Sequence, residues 1–219
     1  MRFCLLVMAK SPVPGQVKTR LCPPLTPEQA AEVAAAALLD TIDAALATPG
    51  AVPVVALAGV VRREDVRDAL GGCVVVPQRG RSFNERLVNA HADVARFGLP
   101  VLQVGMDTPQ VTPSLLASAA EFDEAALGFA LDGGWWALGL RDPLRASVLL
   151  DVPMSRDDTG AQTLEALRGM KVDALPPLSD VDTVADALTV AAQVPGSRFA
   201  RVLGRLGAAS ASRGAVVAR

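Results

Sequence analysis

Histidine occurs once in this chain, and that scarcity removes whole classes of chemistry. His91 stands in a stretch predicted as helix, four residues after Leu87 and three before Val94, on an apolar face. A packed histidine leaves no Ser-His-Asp or Cys-His site and no multi-histidine metal site. Cysteine is nearly as rare. Cys4, Cys22 and Cys73 are odd in number and show no Cys-x-x-Cys spacing, which points to a reduced, intracellular protein. No membrane-length apolar run is present. Phe3 to Val7 has the length of a strand, and no small-residue cleavage site follows it. A strong charge imbalance is also missing: the formal charge of −2 gives no general pull toward nucleic acid or a membrane surface. The expectation is a cytoplasmic protein with neither partner. Nothing in the sequence bears on oligomeric state.

What is there describes a globular α/β protein. Of 219 residues, 51% are hydrophobic and 20% charged, which argues against disorder. Thr26-Pro27-Glu28-Gln29 is a capping box that opens an Ala-rich helix to about Ala47, with Leu39, Ile42 and Leu46 on its heavier face. Further strands are predicted at 52–58, 73–76, 101–104, 127–131 and 172–175. Helices are predicted at 63–70, 83–97, from 112, 159–168 and 183–193. This alternation predicts a single-domain three-layer α/β/α fold with a mostly parallel sheet, whose ligands bind beyond the carboxyl ends of the strands. The domain is expected over 1–196. Residues 197–219 are expected to form a helix through Arg205 and then a flexible tail.

The first strand runs into Met8-Ala9-Lys10-Ser11-Pro12-Val13-Pro14-Gly15-Gln16-Val17-Lys18-Thr19-Arg20-Leu21. Two phosphate motifs are excluded. Val17 stands where a P-loop needs its second glycine, and only one of the three glycines of a dinucleotide fingerprint is present. Gly15 can take positive φ and expose backbone N–H groups. Lys10, Lys18 and Arg20, with Thr19 between the last two, can surround several anionic oxygens. A polyphosphate suits such a loop, as does a solvated basic turn with no ligand.

The run from Pro12 to Leu21 resembles the signature of the DUF2064 family, within the GT-A or nucleotide-diphospho-sugar transferase superfamily. The resemblance recurs at Gln78–Leu87, Gly105–Pro113, Leu131–Leu140, Thr159–Leu167 and Asp180–Ala187. It implies a GT-A-type fold, a nucleotide ligand and a Mg²⁺ or Mn²⁺ ion. Asp107, at the end of the strand 101–104, matches the metal-binding aspartate of GT-A enzymes. Its alternative is a turn cap before Pro109. Asp180-Val181-Asp182-Thr183 looks like a late metal-binding element, with both carboxylates on one side of an extended segment. Asp182 also fits as the N-cap of the following helix. Met106, Thr108 and Gln110 depart from the family pattern, and Gln110 replaces a carboxylate.

Gln78 falls in the region that contacts the base in the superfamily, and its amide can offer donor and acceptor together. Asp132, before Gly133-Gly134, can orient a hydroxyl or remove its proton. Trp135 and Trp136 stand where relatives carry tyrosines and are expected to pack, or to stack on a ligand. Glu85 and Arg86 are expected on the helix surface.

This inventory fits a metal-dependent transferase with a nucleotide donor and a small-molecule acceptor. Lys18, Arg20, Asp107 and Asp132 are its catalytic candidates. If it uses a nucleoside triphosphate, it releases pyrophosphate, and an acceptor phosphate or carboxylate arrives ionised and needs no general base. If it uses a nucleotide-sugar, it releases a nucleoside diphosphate, with Asp132 as the base. A third reading is a domain that binds a nucleotide without turning it over.

Overall fold

The protein is described by a computed structural model that covers the backbone of residues 1–217 and the side chains of residues 1–207. β1 (Phe3–Lys10) is buried everywhere except Lys10, as an uninterrupted apolar run covered on both faces should be. It pairs in parallel with β2 (Ala51–Ala58) and β4 (Val101–Gly105), and β3 (Val74–Pro77) adds in parallel to β2. β5 (Ala125–Ala130) and β6 (Trp135–Leu140) form a hairpin, and β6 runs antiparallel to β4 as well. β7 (Val172–Leu178) closes the sheet parallel to β5. The seven strands lie in the order β3-β2-β1-β4-β6-β5-β7.

The mostly parallel sheet is as expected, but β6 was not anticipated. Its residues are buried on both faces after Trp135, so no alternation marks it as a strand, and the Asp-Gly-Gly turn before it dominates the local pattern. The turn makes the hairpin. Gly133 sits at φ +90, and the Asp132 Oδ1 accepts from the Gly134 N–H at 2.9 Å.

Helix α1 (Pro27–Ala47) starts with the expected capping box between Thr26 and Gln29. Its contrast is weak because it is buried on two sides. Leu38 and Ile42 face the sheet, while Val33 and Ala37 face α6 (Val184–Gln193) and α7 (Arg198–Val217). Leu46, expected on the apolar face, is exposed. Helices α2 (Glu64–Leu70) and α4 (Pro113–Ala119) share the α1 side. Helix α3 (Phe83–Ala95), a 3-10 segment at Pro143–Asp151 and α5 (Thr159–Ala166) cover the other. Three layers result, as expected.

Helix α7 runs to Val217, past the expected end at Arg205, through an alanine-containing run that proline does not interrupt. Ala218 and Arg219, the end of the expected tail, lie outside the described residues. Among the described residues, no helix is long and apolar enough to cross a membrane. The three cysteines are unpaired.

Candidate active site

The carboxyl ends of β1 and β4 open onto a cleft of about 680 Å³, and a smaller recess of about 260 Å³ adjoins it under the basic loop. Lys10, Arg20, Met106, Asp107 and Asp182 border both, so the loop and the carboxylates form the ridge between them. One apolar cluster explains how they meet. Leu21 ends the basic loop and Val181 lies between the late aspartates. Both are fully buried in the cluster formed with α1, α6 and α7. Burying these two side chains fastens the early and late loops side by side.

Lys18 is the hinge of the arrangement. It adopts a left-handed backbone conformation, φ 48, that is unfavourable for a non-glycine residue. Its side chain is only 8% exposed. Nζ donates to the Val181 carbonyl at 2.5 Å and lies 3.0 Å from Asp107 Oδ2 and 3.9 Å from Asp182 Oδ1. The ammonium therefore faces protein oxygens rather than standing free for a phosphate. Arg20 donates to Asp182 Oδ2 at 2.6 Å, and Lys10 donates to the Gln16 carbonyl at 2.8 Å. Thr19 lines the recess. Gly15 has the positive φ expected of it, +73, and stands in open space.

The carboxylates divide by partner. Asp182 faces Arg20 and Lys18. It is not the cap of α6, which is closed by a capping box between Thr183 and Asp186. Asp107 makes no side-chain bond to backbone, so the turn-cap role does not apply. Asp180 lines the cleft half-buried, and its pKa is pushed up to about 7 by desolvation first and then by the charges of Asp107 and Asp132, with Lys18 opposing.

Gln110 donates to the Ser179 carbonyl at 2.5 Å and does not line the cleft. In place of a carboxylate it ties the β4–α4 loop to the segment that carries Asp180.

These groups suit a divalent cation in part. Asp107 Oδ1 is buried without a hydrogen-bond partner, which is costly for a carboxylate oxygen, and Asp180 sits where added positive charge is favourable. Among the described residues, however, no three His, Cys, Asp or Glu side chains gather closely enough to cage an ion. The expected convergence of Asp107, Asp180 and Asp182 is therefore not assembled, and Asp182 pairs with Arg20. What remains suits Mg²⁺ or Mn²⁺, which take one or two protein carboxylates and complete their shell with phosphate and water.

Gln78 lines the cleft, but its amide hydrogens go to the carbonyls of Ala9 and Ala56, both at 2.9 Å. It offers a ligand an acceptor only, which corrects the expected donor-and-acceptor pair. Asp132 also lines the cleft, bound to its own turn. Both tryptophans border the cleft but differ in exposure: Trp136 is buried and donates to the Pro176 carbonyl at 2.9 Å, while Trp135 is half-buried. Gly133 and Gly134 pack directly on the backbone of Asp157 and Gly160, so two motifs far apart in sequence form one contact.

Several cleft residues were not foreseen. Arg86 lines the cleft rather than the outer surface, together with Phe83, Met154 and Arg156. Gln103 lines it too, and a polar residue among the valines of β4 was a signal that could have been read. Its Oε1 lies 2.8 Å from His91 Nε2. His91 is fully buried, as expected, and burial lowers its pKa to about 4.

A family model described as an uncharacterized protein conserved in bacteria (DUF2064) matches residues 41–156, more than half of the chain. The chain belongs to the DUF2064 family. The match leaves out the basic loop and Asp180–Asp182, whose part in this DUF2064 protein rests on geometry. Comparison with solved structures extends over more of the chain. A protein from Desulfovibrio desulfuricans G20, provisionally named a nucleotide-diphospho-sugar transferase, is 26% identical with a TM-score of 0.81, covering 96% of each chain. Rv0371c of Mycobacterium tuberculosis H37Rv, solved as a complex with manganese, is 21% identical with a TM-score of 0.53, over 86% of this chain and 97% of its own. A nucleotidyl transferase from Methanothermobacter is 16% identical with a TM-score of 0.56, over 87% and 96%. The fold of this DUF2064 protein is that of nucleotide-diphospho-sugar transferases. No curated protein matches the chain.

Proposed function

We propose that this DUF2064 protein is a metal-dependent transferase that takes a nucleoside triphosphate, passes the nucleotidyl group to a small-molecule acceptor and releases pyrophosphate. One observation carries the reading: cations of the first loop and carboxylates of two other loops meet on one ridge, with Lys18 Nζ 3.0 Å from Asp107 Oδ2. Such a ridge suits a ligand that brings both phosphate and a divalent cation. The names borne by the similar structures are consistent with nucleotide chemistry.

Lys10 and Arg20 border the recess and can place charge on the β- and γ-phosphates, where charge accumulates as pyrophosphate leaves. Thr19 can add a hydroxyl donor. Gln78 offers its Oε1 to an N–H of the base. The acceptor oxygen forms a bond to the α-phosphorus as the bond to the bridging oxygen breaks, and the electron pair departs with pyrophosphate. Asp107 with Asp180 would hold Mg²⁺ or Mn²⁺, which supplies Lewis-acid neutralisation of the phosphates. Asp182 keeps Arg20 in place and joins the metal site only if that pair opens.

A second reading has its own observation. Asp132 lines the cleft with one carboxylate oxygen held by its turn and the other without a hydrogen bond among the described residues. A base so placed suits removal of a proton from a neutral hydroxyl, as glycosyl transfer from a nucleotide-sugar requires.

Incubation with nucleoside triphosphates and nucleotide-sugars in Mg²⁺ separates the two. Pyrophosphate from a triphosphate is expected. Nucleoside diphosphate from a nucleotide-sugar would favour the second reading, and neither product would overturn both.

A further inference from the structure

We propose that the part of the cleft lined by Phe83, Arg86, Trp135, Met154 and Arg156 is an acceptor subsite for a small molecule with a flat apolar body and one anionic group. The inference rests on the donor reading above and gives that reading its substrate class.

The apolar part comes from three side chains that the core covers only in part. Phe83 opens α3 and is 48% exposed although it borders the cleft. Trp135 borders the same cleft half-buried, whereas Trp136, which also borders it, is only 1% exposed. Met154 adds a polarisable, half-buried side chain to the cleft lining. Exposed aromatic faces inside a concave site suit a planar or apolar ligand better than a fully hydroxylated one.

The charge comes from Arg86 and Arg156. Arg86 is half-buried and, among the described residues, has no carboxylate within 4.0 Å; its guanidinium makes only a long contact of 3.5 Å to the Arg81 carbonyl. Of the arginines that line the cleft, Arg20 and Arg156 each have an acidic partner, Asp182 and Asp158. A guanidinium that lines a cleft without a counter-ion is suited to bidentate binding of a carboxylate or phosphate. Arg156 is tethered through Nε, 3.0 Å from Asp158, which leaves its terminal nitrogens for a second contact.

The wall is held in place. Ser155 is in a left-handed conformation, φ 60, and the Asp157 carbonyl packs against Gly133. The wall's acids are Asp132 and Asp157. The charge of Asp132 acts on Asp180, which places it toward the carboxylate ridge, and Asp157 is exposed to solvent.

Tryptophan fluorescence reads this wall, because the chain has two tryptophans and only Trp135 is partly exposed there. The probes are phenyl phosphate, phenylacetate, benzyl alcohol and inorganic phosphate, titrated into the wild type, Arg86→Gln and Lys10→Ala. Nucleoside triphosphate with Mg²⁺ is titrated calorimetrically into the same proteins. One of the aromatic anions should change the emission saturably. Arg86→Gln should weaken it about tenfold, the loss of one charge-assisted contact, while nucleotide affinity and melting temperature stay the same. Lys10→Ala should leave it unchanged. A stronger response to phenyl phosphate assigns a phosphate, and a stronger response to phenylacetate a carboxylate.

Benzyl alcohol binding as tightly as both anions would overturn the inference. So would an Arg86→Gln protein that binds like the wild type, or a response lost in Lys10→Ala, which would put the anion on the basic loop. Nucleotide binding without aromatic-anion binding overturns this inference alone. Aromatic-anion binding without nucleotide binding overturns the donor reading alone.

Discussion

Lys18 Nζ lies 3.0 Å from Asp107 Oδ2, joining residues 89 positions apart on the ridge between the recess and the cleft. The lysine is nearly buried while the aspartate is 40% exposed, so solvent screens the pair on one side only. A double-mutant cycle with Lys18→Met and Asp107→Asn should give a coupling of about 1 kcal/mol in the metal-free protein, less than a fully buried pair would show. Urea melts of the four proteins measure it. Additive single effects would mean that the contact contributes nothing.

Two groups, the half-buried Asp180 and the fully buried His91, should pull the stability of the metal-free protein in opposite directions with pH. Asp180 titrates near 7 in the fold, above its ordinary value of 3.8, so the native state holds the extra proton between those values. Its contribution is present in acid and lost as pH rises through about 7. His91 titrates near 4 in the fold against 6.5 ordinarily, so here the unfolded chain holds the extra proton. Its contribution is present at neutral pH and lost as pH falls from about 6.5 to 4. Asp180→Asn should therefore gain on the wild type at pH 8 and lose that advantage in acid, and His91→Gln should flatten the acid loss. Melts from pH 4 to 8 in a chelator test both; variant curves parallel to the wild type would contradict the assignment.

Glycines with positive φ should differ in cost according to their surroundings. A Cβ at Gly133 would strike the Asp157 carbonyl, whereas one at Gly15 meets nothing within 4 Å. Gly133→Ala should lose about 2–4 kcal/mol, from backbone strain and collision together, and Gly15→Ala about 1 kcal/mol from strain alone. Chemical denaturation compares them. Equal losses would show that the contact between the Asp-Gly-Gly turn and the loop before α5 is not held.

Asp132 discriminates between the two transfer chemistries. Asp132→Asn should slow glycosyl transfer to a neutral hydroxyl by about 100-fold or more, with donor affinity unchanged, because a general base acts only in the transition state. Nucleotidyl transfer to an ionised acceptor should change less than about fivefold. Steady-state rates with each donor class decide it. A variant that no longer binds the donor would place Asp132 in the donor site.

The sheet and its flanking helices were readable because apolar runs and caps carry their own signal, as in Phe3–Val7 and Thr26–Gln29. β6 escaped because a strand buried on both faces and preceded by two glycines shows no alternation. At the site, the sequence indicated which residues carry charge but not which of them neutralise one another. Lys18, Arg20 and Asp182 read as ligands for phosphate and metal, yet Leu21 and Val181 pack together and so bring the three into mutual contact. Arg86 was missed for the opposite reason. A charged side chain on a helix looks solvated until the chain folds a cleft against it.

The most direct measurement is calorimetric titration of nucleoside triphosphates into the wild type and Asp107→Asn, each with Mg²⁺ and with a chelator. The wild type should bind at least one triphosphate saturably at one site, about tenfold or more tightly with Mg²⁺ than without it. Asp107→Asn should keep the fold and lose most of that dependence. Failure of every triphosphate to bind the wild type, or an Mg²⁺ effect identical in the variant, would contradict a metal-dependent nucleotide site on this ridge.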